Sequence, residues 1–328
     1  MNLPIVKQHG DWLLVSRPDA RGEPHVRWQV SQTTEGLRLA QEPGQDDTNP
    51  TDWLAVIDTA FQRHPQHGHA RLTAQAPPPP LLLDSGVLRP DGQTWTASRQ
   101  ALWQLPTLWS RGPLPAFALQ YAMTEGRRHP LRPPKPQGTV YQRHIPWLDQ
   151  TLSLRAIDPD RDLPAFHRWM NDPVVANFWQ EEGELALHRD YLGRIAADPH
   201  TTGLIACFDE QPFAYFEVYW AKEDRIAPFY DAQDHDRGWH ALVGEAAFRG
   251  KPFLTAWMPS ISHYLFLDDC RTQRIVIEPR ADNDKMIRSL GRCGYARLKE
   301  FDFPHKRASL GMLLREHFFA DALWIPQP

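Results

Sequence analysis

Two hydrophobic periods alternate along the chain from residue 152 onward, and their order constrains the fold more than any other feature. Strand-like alternation falls at residues 152–156, 202–209, 213–220, 237–243, 274–278, 295–303 and 308–315. Helical spacing falls at 158–170, 184–197, 252–267 and 282–293. Acidic residues open the first helix, as the helix dipole favours, and Gly294 closes the last. The order is strand, two helices, three strands, helix, strand, helix, two strands, which makes the fold class α/β (α+β).

The N-terminal half has a thinner pattern. Strands are predicted at 11–17 (DWLLVSR), 25–30, 81–88 and 94–97, and an amphipathic helix at 52–64 (DWLAVIDTAFQRH). Proline and positive charge concentrate in 127–138 (RRHPLRPPKPQG), where apolar periodicity lapses. Proline fixes φ and removes a donor, so the run reads as an extended connector. Three parts are expected: an accessory α/β domain at 1–126 with no chemical motif, a proline-rich linker at 127–150, and the patterned domain at 151–328.

A formal charge of −4 gives no reason to expect a nucleic-acid or membrane-surface partner. No apolar run approaches the roughly 20 residues that span a bilayer, and the N-terminus does not read as a signal peptide. Cys207, Cys270 and Cys293 lack zinc spacing, so no metal is expected, and buried free thiols in a reducing cytoplasm are the simple reading. The expected partner is a small molecule, on a monomer or homodimer.

Four motifs then occur in sequence: NDPVVANFW at 171–179, FEVYW at 216–220, DRGWH at 236–240 and EPRADN at 278–283. Segment 277–295 adds a short strand, an Asn, a helix and a Gly-aromatic pair. With the element order, these resemble the GNAT acyltransferases, and within them the siderophore N-acyltransferases such as the aerobactin-type N-hydroxylysine acetyltransferase and the mycobactin lysine N-acyltransferase. The resemblance covers about 151–319. It implies a splayed mixed sheet, with the N-terminal half as the extra domain of the long form or a degenerate GNAT-like copy. It also implies acetyl-CoA or another acyl-CoA as co-substrate, and acylation of an N-hydroxylated amino acid or diamine to a hydroxamate. An aminoglycoside or other amine is the alternative acceptor, for which Asp231, Asp234 and Asp236 would supply an acidic pocket. A non-catalytic interaction module is the alternative for the N-terminal half.

The resemblance assigns residues one by one. Arg249, Gly250 and Lys251, before the helix at 252–267, would hold the diphosphate of the cofactor on helix N–H groups. Pro252 stands where a second glycine is usual, which removes one donor. Asn283 would contact the pantetheine arm or cap a helix. His240, on the fourth predicted strand, is the expected catalytic residue, with Glu278 facing it across a cleft. An imidazole with an ordinary pKa of about 6.5 suits the proton transfer. A backbone N–H near Leu242 or Val243 would bind the oxyanion. Trp179, Tyr219, Trp220 and Trp239 would line the acceptor pocket or pack as core. Lys306 and Arg307 would meet a substrate carboxylate or sit on a solvated hairpin.

Overall fold

A computed structural model describes residues 4–16, 24–45, 49–111, 116–124 and 126–326. The chain divides into two compact units, Met1–Leu108 and Trp109–Pro328.

The first unit is a seven-stranded sheet. Strands Ile5–His9, Trp12–Ser16, Val26–Thr33 and Gly36–Gln41 form an antiparallel meander. Helix Pro50–Arg63, capped by Asn49, crosses to strand His69–Thr73, which runs parallel to Gly36–Gln41. Its apolar face seats Trp53 edge-on against Trp28 of the sheet, with ring centroids 4.8 Å apart. The stretch 81–88, expected as a strand, instead begins with helix Pro80–Asp84, and the strand is Leu88–Asp91. Proline has no N–H to lose in the first helical turn, so Pro79-Pro80 starts a helix there. Strand Thr94–Ser98 lies between Leu88–Asp91 and His69–Thr73.

The second unit holds an eight-stranded sheet: β1 (Thr139–Ile145), β2 (Gln150–Ala156), β3 (Thr201–Phe208), β4 (Gln211–Trp220), β5 (Arg237–Val243), β6 (Arg274–Ile277), β7 (Ala296–Asp302) and β8 (Arg307–Leu314), with β8 between β6 and β7. Its helices are α1 (Pro159–Met170), α2 (Pro173–Trp179), α3 (Leu185–Ala197), α4 (Lys251–Asp268), α5 (Asp284–Arg292) and α6 (Arg315–Ala320). Every element expected after residue 150 is present within a few residues. Helix α2 was not expected; Asp172 caps it where the chain was read as a stop. The β3–β4 turn is a tight one at Asp209 and Glu210, both with positive φ.

Alternation along β4 separates two layers. Tyr215 packs on Phe166 of α1, while its neighbour Phe216 packs on Trp257 of α4. The α1–α3 side is one apolar cluster that includes Trp169, Leu192 and Leu242.

Two sequence expectations change. The unit boundary falls between Leu108 and Trp109, and 127–150 is no free linker. Arg127–Pro130 pairs with Tyr121–Thr124, and β1 pairs with β2. Prolines suit extended edge segments as well as connectors, and this one is held by charge: Arg132 forks the Glu223 carboxylate at 2.5 and 2.7 Å. Of the thiols, Cys207 and Cys293 are buried but Cys270 is exposed.

The parallel pair β5–β6 is registered only at Arg237↔Ile275 and Gly238↔Val276, whereas β4 and β5 stay paired from Trp220↔Arg237 to Ala214↔Val243. Beyond Gly238 the parallel strands part. The first unit repeats this connectivity, with a parallel crossover and then a hairpin whose second strand is inserted. There the equivalent pair is zipped over four registers, Leu37↔Ala70 to Ala40↔Thr73.

Candidate active site

A cavity of about 660 Å³ opens where β5 and β6 diverge, and His240 and Glu278 both line it, in contact with each other. His240 Nε2 lies 2.8 Å from Glu278 Oε1. Glu217, directly opposite His240 in the β4–β5 register, takes the other ring nitrogen at 3.2 Å. The imidazole is therefore clasped between two carboxylates. Burial opposes its charge, but Glu278 and Glu217 outweigh burial and push the His240 pKa up to about 10. Burial likewise opposes the Glu278 charge, yet His240, Lys306 and Arg225 hold that carboxyl well below its usual range. Both shifts favour an imidazolium–carboxylate pair over a neutral base beside an acid, so His240 sits above the ordinary imidazole value from which the sequence reading started.

The surrounding groups fix this pair. Tyr219 donates to Glu278 Oε2 at 3.0 Å and tilts over the His240 ring at 4.9 Å. Tyr191 and Tyr215 donate to Glu217 Oε1 at 2.5 and 3.1 Å. Lys306 Nζ donates to the Glu278 carbonyl at 2.7 Å; burial lowers its pKa, and Glu278 offsets part of that. Glu217, Tyr191, Asp224 and Arg225 were not singled out from sequence. Glu217 was legible in principle, because it sits inside FEVYW two residues before Tyr219 and so shares its face.

The other expected residues divide. Trp179 lines the cavity, edge-on to His240 at 6.5 Å, with Nε1 donating to the Ala241 carbonyl at 3.3 Å. Trp239 touches the cavity but is 4% exposed, bonded to Tyr295 and packed on Trp257. Trp220 does not line it. Adjacent strand residues face opposite ways, so Trp220 is turned from the Tyr219 side and stacks between Arg132 and Arg237. Asn283 lines the cavity and caps α5, with Met286 N donating to its Oδ1 at 3.1 Å, so its helix-cap reading holds.

Arg249, Gly250 and Lys251 lie outside the cavity lining, at the β5–α4 connection. Arg249 is used internally: it donates to the Val243 and Gly244 carbonyls at 3.0 Å each and pairs with Asp172 at 3.2 Å. Gly250 is the α4 N-cap, with φ +132 and no side-chain cap, and Lys251 is exposed. Pro252 falls in the first turn, where proline is tolerated. Gly244 N donates to Phe213 O, so alternation turns the Leu242 amide toward β4 and the Ala241 and Val243 amides toward the gap.

Arg307 pairs with Glu300 and Asp302 away from the cavity. Asp231, Asp234 and Asp236 also lie outside it, with Asp236 gripped by Arg274 and Tyr230 and Asp234 held by Tyr121. His129, His200 and Glu223 bring three possible metal ligands together elsewhere, but the Glu223 carboxylate is taken by Arg132.

A family model described as an acetyltransferase (GNAT) domain matches residues 158–303. The N(6)-hydroxylysine O-acetyltransferase of Escherichia coli is 42% identical over 277 residues, covering 83% of this chain and 86% of its own length. The chain belongs to the GNAT acyltransferase family. As such it is an acyl-CoA-dependent N-acyltransferase. An N(5)-hydroxyornithine:cis-anhydromevalonyl coenzyme A-N(5)-transacylase of Beauveria bassiana is 47% identical over 195 residues, covering 58% of this acyltransferase and 43% of its own length. Of that fungal protein the chain thus spans less than half. Among solved structures, an uncharacterized protein of Bacillus halodurans superposes with a TM-score of 0.54 and 28% identity, covering 58% of this chain and 96% of its own. Among the described residues no helix is long and apolar enough to cross a membrane.

Proposed function

We propose that this acyltransferase moves an acyl group, in the first instance acetyl, from its CoA thioester to the hydroxylamine nitrogen of an N-hydroxylated amino acid or diamine, forming a hydroxamate for siderophore assembly. The observation that carries the reading is the Glu217–His240–Glu278 array at the mouth of the splayed strands. The names of the Escherichia coli and Beauveria bassiana relatives, a hydroxylysine and a hydroxyornithine enzyme, support the acceptor class.

A hydroxylamine is a weak base and arrives largely neutral near pH 7, so its nitrogen needs no prior deprotonation. Glu278, held as a carboxylate, accepts the N–H proton as the C–N bond forms. His240, held as an imidazolium, gives its proton to the departing thiolate sulfur as the C–S bond breaks. Glu278 then returns a proton to His240 across the 2.8 Å hydrogen bond, so the proton lost by nitrogen ends on sulfur. The Ala241 or Val243 amide in the gap serves the oxyanion. The N–H groups of Lys251 and Phe253 receive the diphosphate, with Lys251 adding charge. Arg249 shapes this cradle by holding the end of β5.

The test is incubation with acetyl-CoA and N-hydroxylysine, N-hydroxyornithine or N-hydroxycadaverine, following free thiol and ferric-hydroxamate absorbance. Acylation of nitrogen gives the ferric colour, and acylation of oxygen does not. Equal or faster turnover of lysine, ornithine or cadaverine would overturn the reading.

A further inference from the structure

Three cations converge on Glu278, and they are not equally occupied. His240 is shared between two carboxylates, and Lys306 donates to the Glu278 carbonyl at 2.7 Å while lying 3.6 Å from its carboxylate. Arg225 reaches Glu278 Oε1 through one nitrogen at 3.3 Å, and its side chain is 49% exposed on the cavity wall. A guanidinium carries five donors in a rigid fork, and among the described residues Arg225 makes no other hydrogen bond.

We propose that Arg225 anchors the α-carboxylate of the acceptor, which makes the substrates N-hydroxy amino acids rather than N-hydroxy diamines. The proposal rests on the hydroxylamine reading above and adds the group that selects the substrate. Its first support is distance. His240 and Arg225 bond the same Glu278 oxygen, so their nitrogens are no more than about 6 Å apart. An extended N6-hydroxylysine spans roughly 7 Å from its reacting nitrogen to its carboxyl carbon, six bonds that each advance the zigzag by about 1.2 Å. Hydrogen bonds of about 3 Å at each end accommodate that length between the two groups. A diamine of the same length offers the fork nothing to bind.

The second support is preorganisation of the loop that carries Arg225, between β4 and β5. Arg127 donates to the Glu223 and Asp224 carbonyls at 3.1 and 3.0 Å, and Arg132 grips the Glu223 carboxylate. Asp224 Oδ1 accepts from Ile226 N at 2.9 Å, and Ile226 is fully buried. The residues on both sides of Arg225 are therefore fixed before substrate arrives, which lowers the ordering cost of binding. The proline-rich segment after Arg127 acquires a role in this way, as the buttress of a specificity loop.

The test compares matched pairs that differ only in the carboxylate: N6-hydroxylysine with N-hydroxycadaverine, and N5-hydroxyornithine with N-hydroxyputrescine. Each is assayed with acetyl-CoA on the wild-type chain, Arg225→Met and Arg225→Lys. The wild type is expected to favour the amino acid by on the order of 100-fold in kcat/KM. Arg225 also bonds Glu278, so Arg225→Met should lower kcat for both members of a pair, and the readout is their ratio: the preference should be erased through a rise in KM for the amino acid alone, and Arg225→Lys should recover part of it. Equal losses in kcat/KM for both members of a pair would reduce Arg225 to a support for Glu278 and overturn the proposal. So would a wild type indifferent to the carboxylate, although hydroxylamine acylation would then still stand. Failure to acylate any of the four would sink the hydroxylamine reading and this inference with it.

Discussion

A histidine between two buried carboxylates is a proton donor at rest, and this sets how His240 responds to substitution and pH. Replacing His240 with Ala should lower kcat by roughly 10²–10⁴, read by thiol release, because the acid for the leaving sulfur is gone. Glu278→Gln removes a negative charge beside the imidazolium, so the His240 pKa must fall. The alkaline limb of the pH–rate profile, expected near 10 in the wild type, should move to lower pH in Glu278→Gln. An unmoved limb would mean that another group controls it. Stability carries the same signature. A raised histidine pKa stabilises the fold fully below the unfolded value of about 6.5 and loses that contribution as pH rises through about 10. Urea midpoints should decline across that window in the wild type and decline less in His240→Gln. The depressed carboxyl of Glu278 contributes above its unfolded value and loses that only well into acid. His240 and Glu278 were legible because they sit in motifs. Their charge state was not, because it depends on Glu217 from the neighbouring strand.

At the scale of elements, the decisive feature is the parting of β5 and β6. Gly238 is the last residue of β5 paired with β6, and a Cβ there would lie 2.2 Å from the Tyr219 ring. Gly238→Ala should displace Tyr219 from Glu278 and cost about 1–3 kcal/mol of stability as an overpacked site. The expected result is a lower Tm together with a fall in kcat. An unchanged kcat would show that the Tyr219–Glu278 bond is dispensable. The elements themselves were read from periodicity, because amphipathic strands and helices write their faces into the sequence. Helix α2 escaped because seven residues behind a proline give little period to read, although it places Trp179. Of the two readings for Trp220, pocket wall or core, its burial fits the core, because alternation along β4 sends Tyr219 and Trp220 to opposite faces.

At the scale of the molecule, the two units share a connectivity but not a gap. In the first unit the parallel strands are zipped together, so no thioester can enter between them, and all the site residues discussed lie in Trp109–Pro328. A chain beginning at residue 109 is therefore expected to bind acetyl-CoA and acylate the hydroxylamine, measured by calorimetry and thiol release. Loss of both in a folded fragment would give the first unit a direct part in the site. By itself, the sequence determined the order of elements and the acyltransferase family, and it singled out His240 and Glu278, since these depend on local pattern and on motifs contiguous along the chain. Only the tertiary structure decided that Glu217 and Arg225 join the pair, that Arg249 is spent on the backbone, and that 127–150 belongs to the catalytic unit. Each of those turns on contacts between residues far apart in sequence. There, strand register and the pairing of buried charges select the partner, and no local period records them.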